Sequence, residues 1–188
     1  MEQNEVRVWD PFVRIFHWSL VLTFTVAYAT GEDLEFLHNN VGYVVLVLVL
    51  LRIFWGFIGT RHARFRDFVY PPAEVKGFLQ DTFRKCAQRY LGHNPAGGAM
   101  VVVMLLSLII TTVTGIAFYG IEDGAGPLVM LAGSPGWARE MLEEAHEFFA
   151  NMMVLLVFVH IIGVIVESRL HDENLVKAMF NGRKRQLM

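Results

Sequence analysis

Residues 143–167 read EEAHEFFANMMVLLVFVHIIGVIVE and carry two histidines, His146 and His160, fourteen residues apart. At about 100° per residue, fourteen residues turn a helix through roughly 1400°, about 40° short of four full turns. Both imidazoles therefore leave one face of a helix, about 21 Å apart along its axis. No charged residue lies between Phe148 and Val166, which is typical of a membrane-spanning helix. Because ionisable side chains are costly in a membrane, two of them on one face indicate a functional role.

Three further apolar blocks precede this one. The chain has 188 residues, of which 54% are hydrophobic and 18% charged, and the apolar residues fall into long blocks rather than scattering. Each block is long enough for a helix that crosses a bilayer. The predicted spans are residues 15–31, 36–60, 95–121 and 143–167. We therefore expect an all-α integral membrane four-helix bundle, with residues 1–188 forming a single domain.

The basic residues are distributed unevenly. Fifteen of the sixteen lysines and arginines lie in the N-terminal segment, at the end of the second block, in residues 61–94 or in the tail 168–188. Only Arg139 lies in the other connections, which are rich in Asp and Glu. Cytoplasmic loops carry the excess of basic residues, so both termini, the 61–94 segment and the partly helical tail are predicted to be cytoplasmic. This bias explains the basic segment without a nucleic-acid partner; binding to anionic lipid stays the alternative.

Four histidines lie near the ends of the predicted spans. In this topology His17 and His160 lie toward the cytoplasmic side, whereas His38 and His146 lie toward the outer side. Of the three ways to pair them, only His17 with His160 and His38 with His146 join partners of matching depth. Facing side chains on bundle helices commonly build cofactor sites.

Two imidazoles per site suit an iron porphyrin, which supplies four equatorial nitrogens and needs two axial ligands. A zinc site would normally need three or four protein ligands. The other interpretation is that the histidines only bridge helices by hydrogen bonds. We favour two bis-histidine b haems, which are non-covalent because the chain has one cysteine, Cys86, and no Cys-x-x-Cys-His motif.

The remaining polar candidates are assigned less specifically. Arg14 and Arg52, at the cytoplasmic membrane edge, are candidate partners of haem propionates, since arginine suits carboxylate geometry; snorkelling to lipid headgroups is the alternative. His62 and His171 lie in basic segments and are predicted to be solvated. His93 precedes the third span and could cap that helix, contact a propionate or line a quinone site.

Several motifs resemble those of the bacterial cytochrome b561 family and of the related b-type cytochrome subunits of nickel–iron hydrogenases. The matching pieces are Val8-Trp9-Asp10-Pro11 with residues 14–18, His38 with Val41-Gly42-Tyr43, residues 52–59, residues 92–98, Thr114-Gly115, and His146 with His160. The resemblance implies a four-helix bundle with two b haems that moves electrons between a quinone pool and a partner. Residues 92–98 are most similar to a subgroup that serves c-type cytochromes.

The expected function is thus electron transfer in a bacterial inner membrane, embedded in lipid, with quinone or quinol and a redox protein such as a c-type cytochrome as partners. One alternative is a superoxide oxidase that reduces ubiquinone, an activity of this family, although the acidic outer connections would repel that anion. Another is a haem-bearing anchor subunit of a hydrogenase-like respiratory complex. No catalytic residue set is predicted, and a homodimer is left open.

Overall fold

Four long helices make up most of the protein. The structure, a computed structural model, describes residues 5–31 and 33–186. They are α1 (Pro11–Thr30), α2 (Glu35–Ile58), α5 (Pro95–Glu122) and α6 (Gly136–Leu170). All four are long and apolar enough to cross a membrane. Many of their large apolar side chains are exposed, among them Ile15, Phe54, Leu106 and Phe158. Exposed apolar faces of this extent suit contact with lipid, and the expectation of a helical protein with four apolar spans is confirmed at that level.

Shorter elements connect and flank these helices. The segment after α2 contains a 3-10 helix (Arg61–Ala63), α3 (Phe65–Phe68) and α4 (Pro72–Phe83). A second 3-10 helix (Val129–Leu131) precedes α6, and α7 (Leu175–Asn181) follows it. Strands β1 (Glu5–Arg7) and β2 (Arg183–Arg185) pair in antiparallel register, with Val6 opposite Lys184. The fold is therefore helical apart from one small sheet.

Local sequence signals explain where two of the long helices begin. Asp10 precedes Pro11, and its carboxylate accepts a hydrogen bond of 2.9 Å from the Val13 backbone N–H. Asn94 precedes Pro95 in the same way, and its side-chain oxygen accepts from the Gly97 N–H at 2.6 Å. A capping side chain followed by proline is a typical helix start. With this cap α1 begins four residues before the predicted apolar block. Helix α6 also extends beyond the predicted 143–167 at both ends.

The chain forms two compact units. Unit 1 comprises Met1–Trp18, Leu51–Val103 and Leu156–Met188. Its core cluster contains Val8, Trp9, Val13, Ala63 and Ala178. The tail is tied to the start of the chain, because the Val8 and Trp9 N–H groups donate to the Gly182 carbonyl at 2.8 and 3.1 Å. Gly182 has a φ of +81°, and a Cβ there would lie 2.5 Å from the Trp9 carbonyl oxygen, so this close approach requires glycine.

Unit 2 comprises Ser19–Leu50 and Met104–Leu155. Its buried apolar side chains come from three of the long helices and include Val45, Val49, Leu105, Leu108 and Met153. The Tyr28 hydroxyl donates to the Asn151 side-chain oxygen at 2.8 Å, which links α1 to α6 within this unit. The unit contains nine acidic residues and one basic residue, Arg139, whereas unit 1 contains nine acidic and fifteen basic residues. The uneven charge distribution of the sequence therefore coincides with the two units.

Candidate cofactor sites

One histidine pair lies in unit 2. His38 on α2 and His146 on α6 have ring centroids 5.8 Å apart, and their planes cross at 82°. Metal–imidazole bonds of about 2 Å on either side of a metal ion, with the ring radii added, place two axial imidazoles with centroids roughly 6 Å apart. The spacing of this pair therefore fits a metal held between the two rings.

Both imidazoles of this pair are oriented by backbone carbonyls. His38 Nδ1 lies 2.9 Å from the Ala27 carbonyl oxygen, and His146 Nδ1 lies 2.8 Å from that of Thr111. A carbonyl can only accept, so each Nδ1 carries the proton and each Nε2 has a free lone pair. Metal-binding histidines are usually oriented in this way. The tautomers in unit 2 are those that axial ligands require.

Gly115 makes room for one of these rings. A Cβ at this position would lie 2.7 Å from His146 Cε1 and 2.8 Å from Nδ1, closer than real contacts allow. Gly31 also lies beside the pair, but a Cβ there would lie 3.6 Å from His38 Nδ1, an ordinary contact. In the sequence Gly115 stands out only as part of the Thr114-Gly115 motif. Its position inside an apolar helix is the sequence signal that the backbone approaches another group there.

The second pair lies in unit 1. His17 on α1 and His160 on α6 have ring centroids 6.4 Å apart, with their planes inclined by 52°. Trp18 packs edge-on against His17 at 5.0 Å. His17 Nδ1 is buried and has no hydrogen-bond partner among the described residues. The spacing again fits two axial ligands, although the carbonyl partners seen in unit 2 are not repeated at His17.

The composition of both pairs favours a macrocycle over a bare metal ion. Within residues 5–31 and 33–186, no group of three or more His, Cys, Asp or Glu side chains is arranged to hold a metal. A haem needs only the two axial donors that each pair provides. The four histidines predicted from the sequence are thus brought together in the predicted pairs, and their role as ligands stays a prediction.

The two predicted propionate partners lie in different surroundings. Arg14 donates through Nη2 to the Phe180 carbonyl of α7, while its Nε is buried and has no partner within residues 5–31 and 33–186. Arg52 is only 2% exposed, its guanidinium lies 5.7 and 5.8 Å from the Phe65 and Phe68 rings, and its Nη1 has no partner among the described residues. A buried, unsatisfied guanidinium is costly unless an anion joins it. Arg52 therefore suits a carboxylate ligand better than Arg14 does.

The other histidines of unit 1 differ from expectation. His62 and His171 were predicted to be solvated, but their side chains are only 17% and 14% exposed. His62 pairs with Asp67 at 2.8 Å, and His171 with Glu167 at 3.4 Å. The prediction was wrong because the flanking arginines turn outward while both rings pack inward against carboxylates.

His93 does not cap α5, since Asn94 does. Its ring packs between Trp9 and Phe68, with centroid distances of 4.7 and 4.8 Å. Burial, with a smaller contribution from the charge of Arg52, lowers the pKa of His93 to about 3. His93 is therefore neutral at physiological pH, and its buried Nδ1 has no partner among the described residues.

Comparisons with known proteins identify the family of the chain. A family model described as prokaryotic cytochrome b561 matches residues 8–182. A probable Ni/Fe-hydrogenase B-type cytochrome subunit of Rhizobium leguminosarum bv. viciae is 25% identical, over 98% of this chain and 90% of that protein. The corresponding proteins of Azotobacter vinelandii and Escherichia coli K12 are both 24% identical, over 96% and 93% of this chain and 89% and 88% of their own lengths. With nearly its whole length matched, the chain belongs to the prokaryotic cytochrome b561 family.

Proposed function

We propose that this protein carries electrons through two bis-histidine b haems, one held by His38 and His146 and the other by His17 and His160. Family membership makes it a multi-pass membrane protein that transfers electrons with haem b; the proposal adds the number of haems and their ligands. The observation that carries it is the presence of two histidine pairs with ring centroids 5.8 and 6.4 Å apart. When bound, haem supplies the one-electron chemistry.

The residues of the chain hold and orient these cofactors. In unit 2 the Ala27 and Thr111 carbonyls fix the rings of His38 and His146. In unit 1 the buried guanidinium of Arg52 would neutralise a propionate, and Arg14 Nε offers a second donor. The apolar side chains of α1, α2, α5 and α6 would exclude water from bound haem, and this burial together with the ligation would set the reduction potentials.

The membrane orientation belongs to the same proposal. The protein would lie in a bacterial inner membrane, with residues 1–188 forming one transmembrane domain. Its cytoplasmic side would carry both termini, residues 61–94 and the tail 168–188. The support is the distribution of basic residues, fifteen of which lie in unit 1 and one in unit 2. The unit 2 haem would then lie toward the outer side.

Quinone or quinol is the proposed small-molecule partner, and a redox protein such as a c-type cytochrome is the proposed macromolecular one. The relatives are named as hydrogenase subunits, which favours a second candidate, the haem-bearing membrane subunit of a hydrogenase-like complex. A superoxide oxidase is disfavoured, because the nine acidic residues of unit 2 would repel an anion.

Haem stoichiometry tests the proposal. The purified protein should contain two haems b per chain, extractable by acidified acetone because nothing attaches them covalently. The measurement is a pyridine haemochrome spectrum combined with amino-acid analysis. A ratio near one, or haem that resists extraction, would contradict the two-site assignment.

A further inference from the structure

Helix α4 (Pro72–Phe83) turns only one of its sides toward the rest of unit 1. Phe78 is the buried residue of this helix, and its ring meets the Tyr90 ring edge to face at 5.8 Å. Val75 and Thr82, one turn before and one turn after Phe78, are half-buried beside it. The remaining side chains of the helix are exposed.

A stripe of exposed residues runs along another side of this helix. Pro72, Lys76, Leu79 and Phe83 recur at the spacing i, i+4, i+7 and i+11, which places all four on one side. Phe83 is 86% exposed and Leu79 is 43% exposed. A single exposed apolar side chain needs no explanation, but apolar side chains aligned along a helix indicate a contact surface.

Basic and acidic side chains lie on different sides of α4. Lys76 belongs to the exposed stripe, and Arg84 and Lys85 directly follow the last residue of the helix. Glu74 and Asp81 lie about half a turn away from the stripe, at roughly 100° per residue. The three cations are exposed and form no ion pair within residues 5–31 and 33–186. The stripe is therefore accompanied by unpaired positive charge and is free of carboxylates.

The packing of α4 holds it close to the membrane. Its contact residue Tyr90 precedes the start of the apolar helix α5 at Pro95 by five residues. A stretch of that length spans at most about 18 Å, even when it is fully extended. Tyr70, just before α4, also contacts the Tyr90 ring, with centroids 6.0 Å apart. Since α5 is one of the apolar helices of a multi-pass membrane protein, α4 lies near the membrane end of that helix.

Exposed apolar residues also continue from the end of α2 toward α4. Phe57, in the last turn of α2, is exposed, and its ring contacts that of Phe65 in α3 with centroids 5.3 Å apart. Val69 follows α3, is exposed, and donates its N–H to the Phe65 carbonyl at 2.8 Å. The apolar surface that α2 offers to lipid therefore runs on into the segment that leads to Pro72.

We propose that α4 lies on the surface of the bilayer, with Leu79 and Phe83 inserted beneath the headgroups and with Lys76, Arg84 and Lys85 bound to anionic phospholipid headgroups. Helices that carry Phe and Leu on one side, with Lys or Arg beside them, bind bilayers in this way. Anionic lipid complements the unpaired cations, and the apolar surface continuous with α2 places the helix where lipid is present. The inference goes beyond the proposed electron transfer and holds for either number of haems.

Fluorescent labels at single cysteines measure what the stripe touches. Leu79→Cys, Phe83→Cys, Glu74→Cys and Asp81→Cys are each combined with Cys86→Ser, which removes the one native cysteine, and are labelled with the fluorophore NBD. The haem-loaded proteins are placed in nanodiscs of phosphatidylcholine and phosphatidylglycerol. At positions 79 and 83, lipid with a doxyl quencher near the top of its acyl chain should lower the fluorescence about twofold, because interfacial helices sit about 5–10 Å deep. At positions 74 and 81, aqueous iodide should quench instead.

A second measurement tests the charge of the headgroups. With NBD at position 79, doxyl-phosphatidylglycerol should quench about fivefold more strongly than doxyl-phosphatidylcholine, the usual effect of a cation at an anionic surface. Lys76→Gln/Arg84→Gln should be quenched equally by both lipids. The matched control is Arg7→Gln/Lys177→Gln, which removes two exposed cations of unit 1 outside α4 and should keep the preference. High salt should weaken the preference, because it screens exposed charges.

Each other outcome would overturn the proposal in a recognisable way. Iodide quenching at positions 79 and 83 as strong as at 74 and 81 would show that the stripe lies in water. Protection of positions 79 and 83 from both iodide and doxyl lipid would show that protein covers the stripe, either a second copy of this chain or a different chain. Doxyl quenching without a preference for phosphatidylglycerol, or a preference lost equally in both double variants, would exclude the assignment of the cations to anionic headgroups.

Discussion

In the proposed arrangement each of the four paired histidines would contribute one of two axial donors, so the pairing can be tested residue by residue. His38→Ala and His146→Ala should both remove the unit 2 haem, whereas His17→Ala and His160→Ala should both remove the other. The reason is that a bis-histidine iron loses half its axial ligation with either ring, and no described third donor joins either pair. Potentiometric titration of each variant shows which centre survives.

His62→Ala and His171→Ala are the controls. Both variants should keep two haems, because neither residue belongs to one of the two histidine–histidine pairs. If His17→Ala and His146→Ala removed the same redox component, the assignment of partners by depth would be wrong.

The close contact between Gly115 and the His146 ring can be tested without replacing a histidine. Gly115→Ala should displace the His146 ring, because the added Cβ would lie 2.7 Å from Cε1. Disturbing the surroundings of a metal-binding histidine typically weakens retention by about tenfold or more. We expect loss of the unit 2 haem, or a changed low-spin EPR signal for that centre alone. Gly31→Ala, whose Cβ has ordinary van der Waals room beside His38, should keep the wild-type spectrum.

At the scale of elements, Asp10 joins the start of α1 to the end of α2. Its buried carboxylate accepts from the Val13 N–H, from Trp55 Nε1 at 3.1 Å and from the Thr60 hydroxyl at 2.6 Å. Burial alone would raise the pKa of Asp10, but these hydrogen bonds outweigh it and hold the pKa below its usual value. A carboxyl with a lowered folded-state pKa contributes stability above about pH 4, and that contribution is lost as the pH falls through the folded-state value.

Asp10→Ala should therefore lower the free energy of unfolding at pH 7 by roughly 1–3 kcal/mol, through the lost cap and the unsatisfied donors. The difference from wild type should shrink below pH 4. Thermal melting followed by haem absorbance in detergent measures it. Asp81→Ala, at an exposed position of α4, is the control and should change little. An equal effect of both variants would exclude the capping role.

Sequence signals accounted for these elements well, because they act locally. Asp10-Pro11 and Asn94-Pro95 mark helix starts by chemistry within three residues. The four apolar blocks mark the spans by composition alone. The small sheet between Val6 and Lys184 was not predicted, since two three-residue strands almost 180 residues apart carry no periodic signal.

At the scale of the whole molecule, the charge distribution predicts sidedness. Reporter fusions to the C-terminus should be active only with a cytoplasmic reporter, and insertions between α5 and α6 only with a periplasmic one. The reason is that fifteen of sixteen basic residues lie in unit 1. A periplasmic C-terminus would exchange the inner and outer haems.

The sequence by itself determined the number of apolar spans. It also predicted which four histidines pair, and which one pairs with which. The physical reason is that helix periodicity and membrane depth are properties of one segment at a time. The family resemblance, which the family match confirmed, rests on the same local motifs.

Only the tertiary structure decided what surrounds those histidines. The Ala27 and Thr111 carbonyls that fix two rings, the space at Gly115, and the burial of His62 against Asp67 under Gly92 each depend on residues from separate segments of the chain. The basic residues around His62 predict a solvated side chain. Packing between the 61–70 and 88–93 segments buries it instead. Composition reports the average environment of a segment, whereas the environment of one side chain is set by whichever distant segment folds against it.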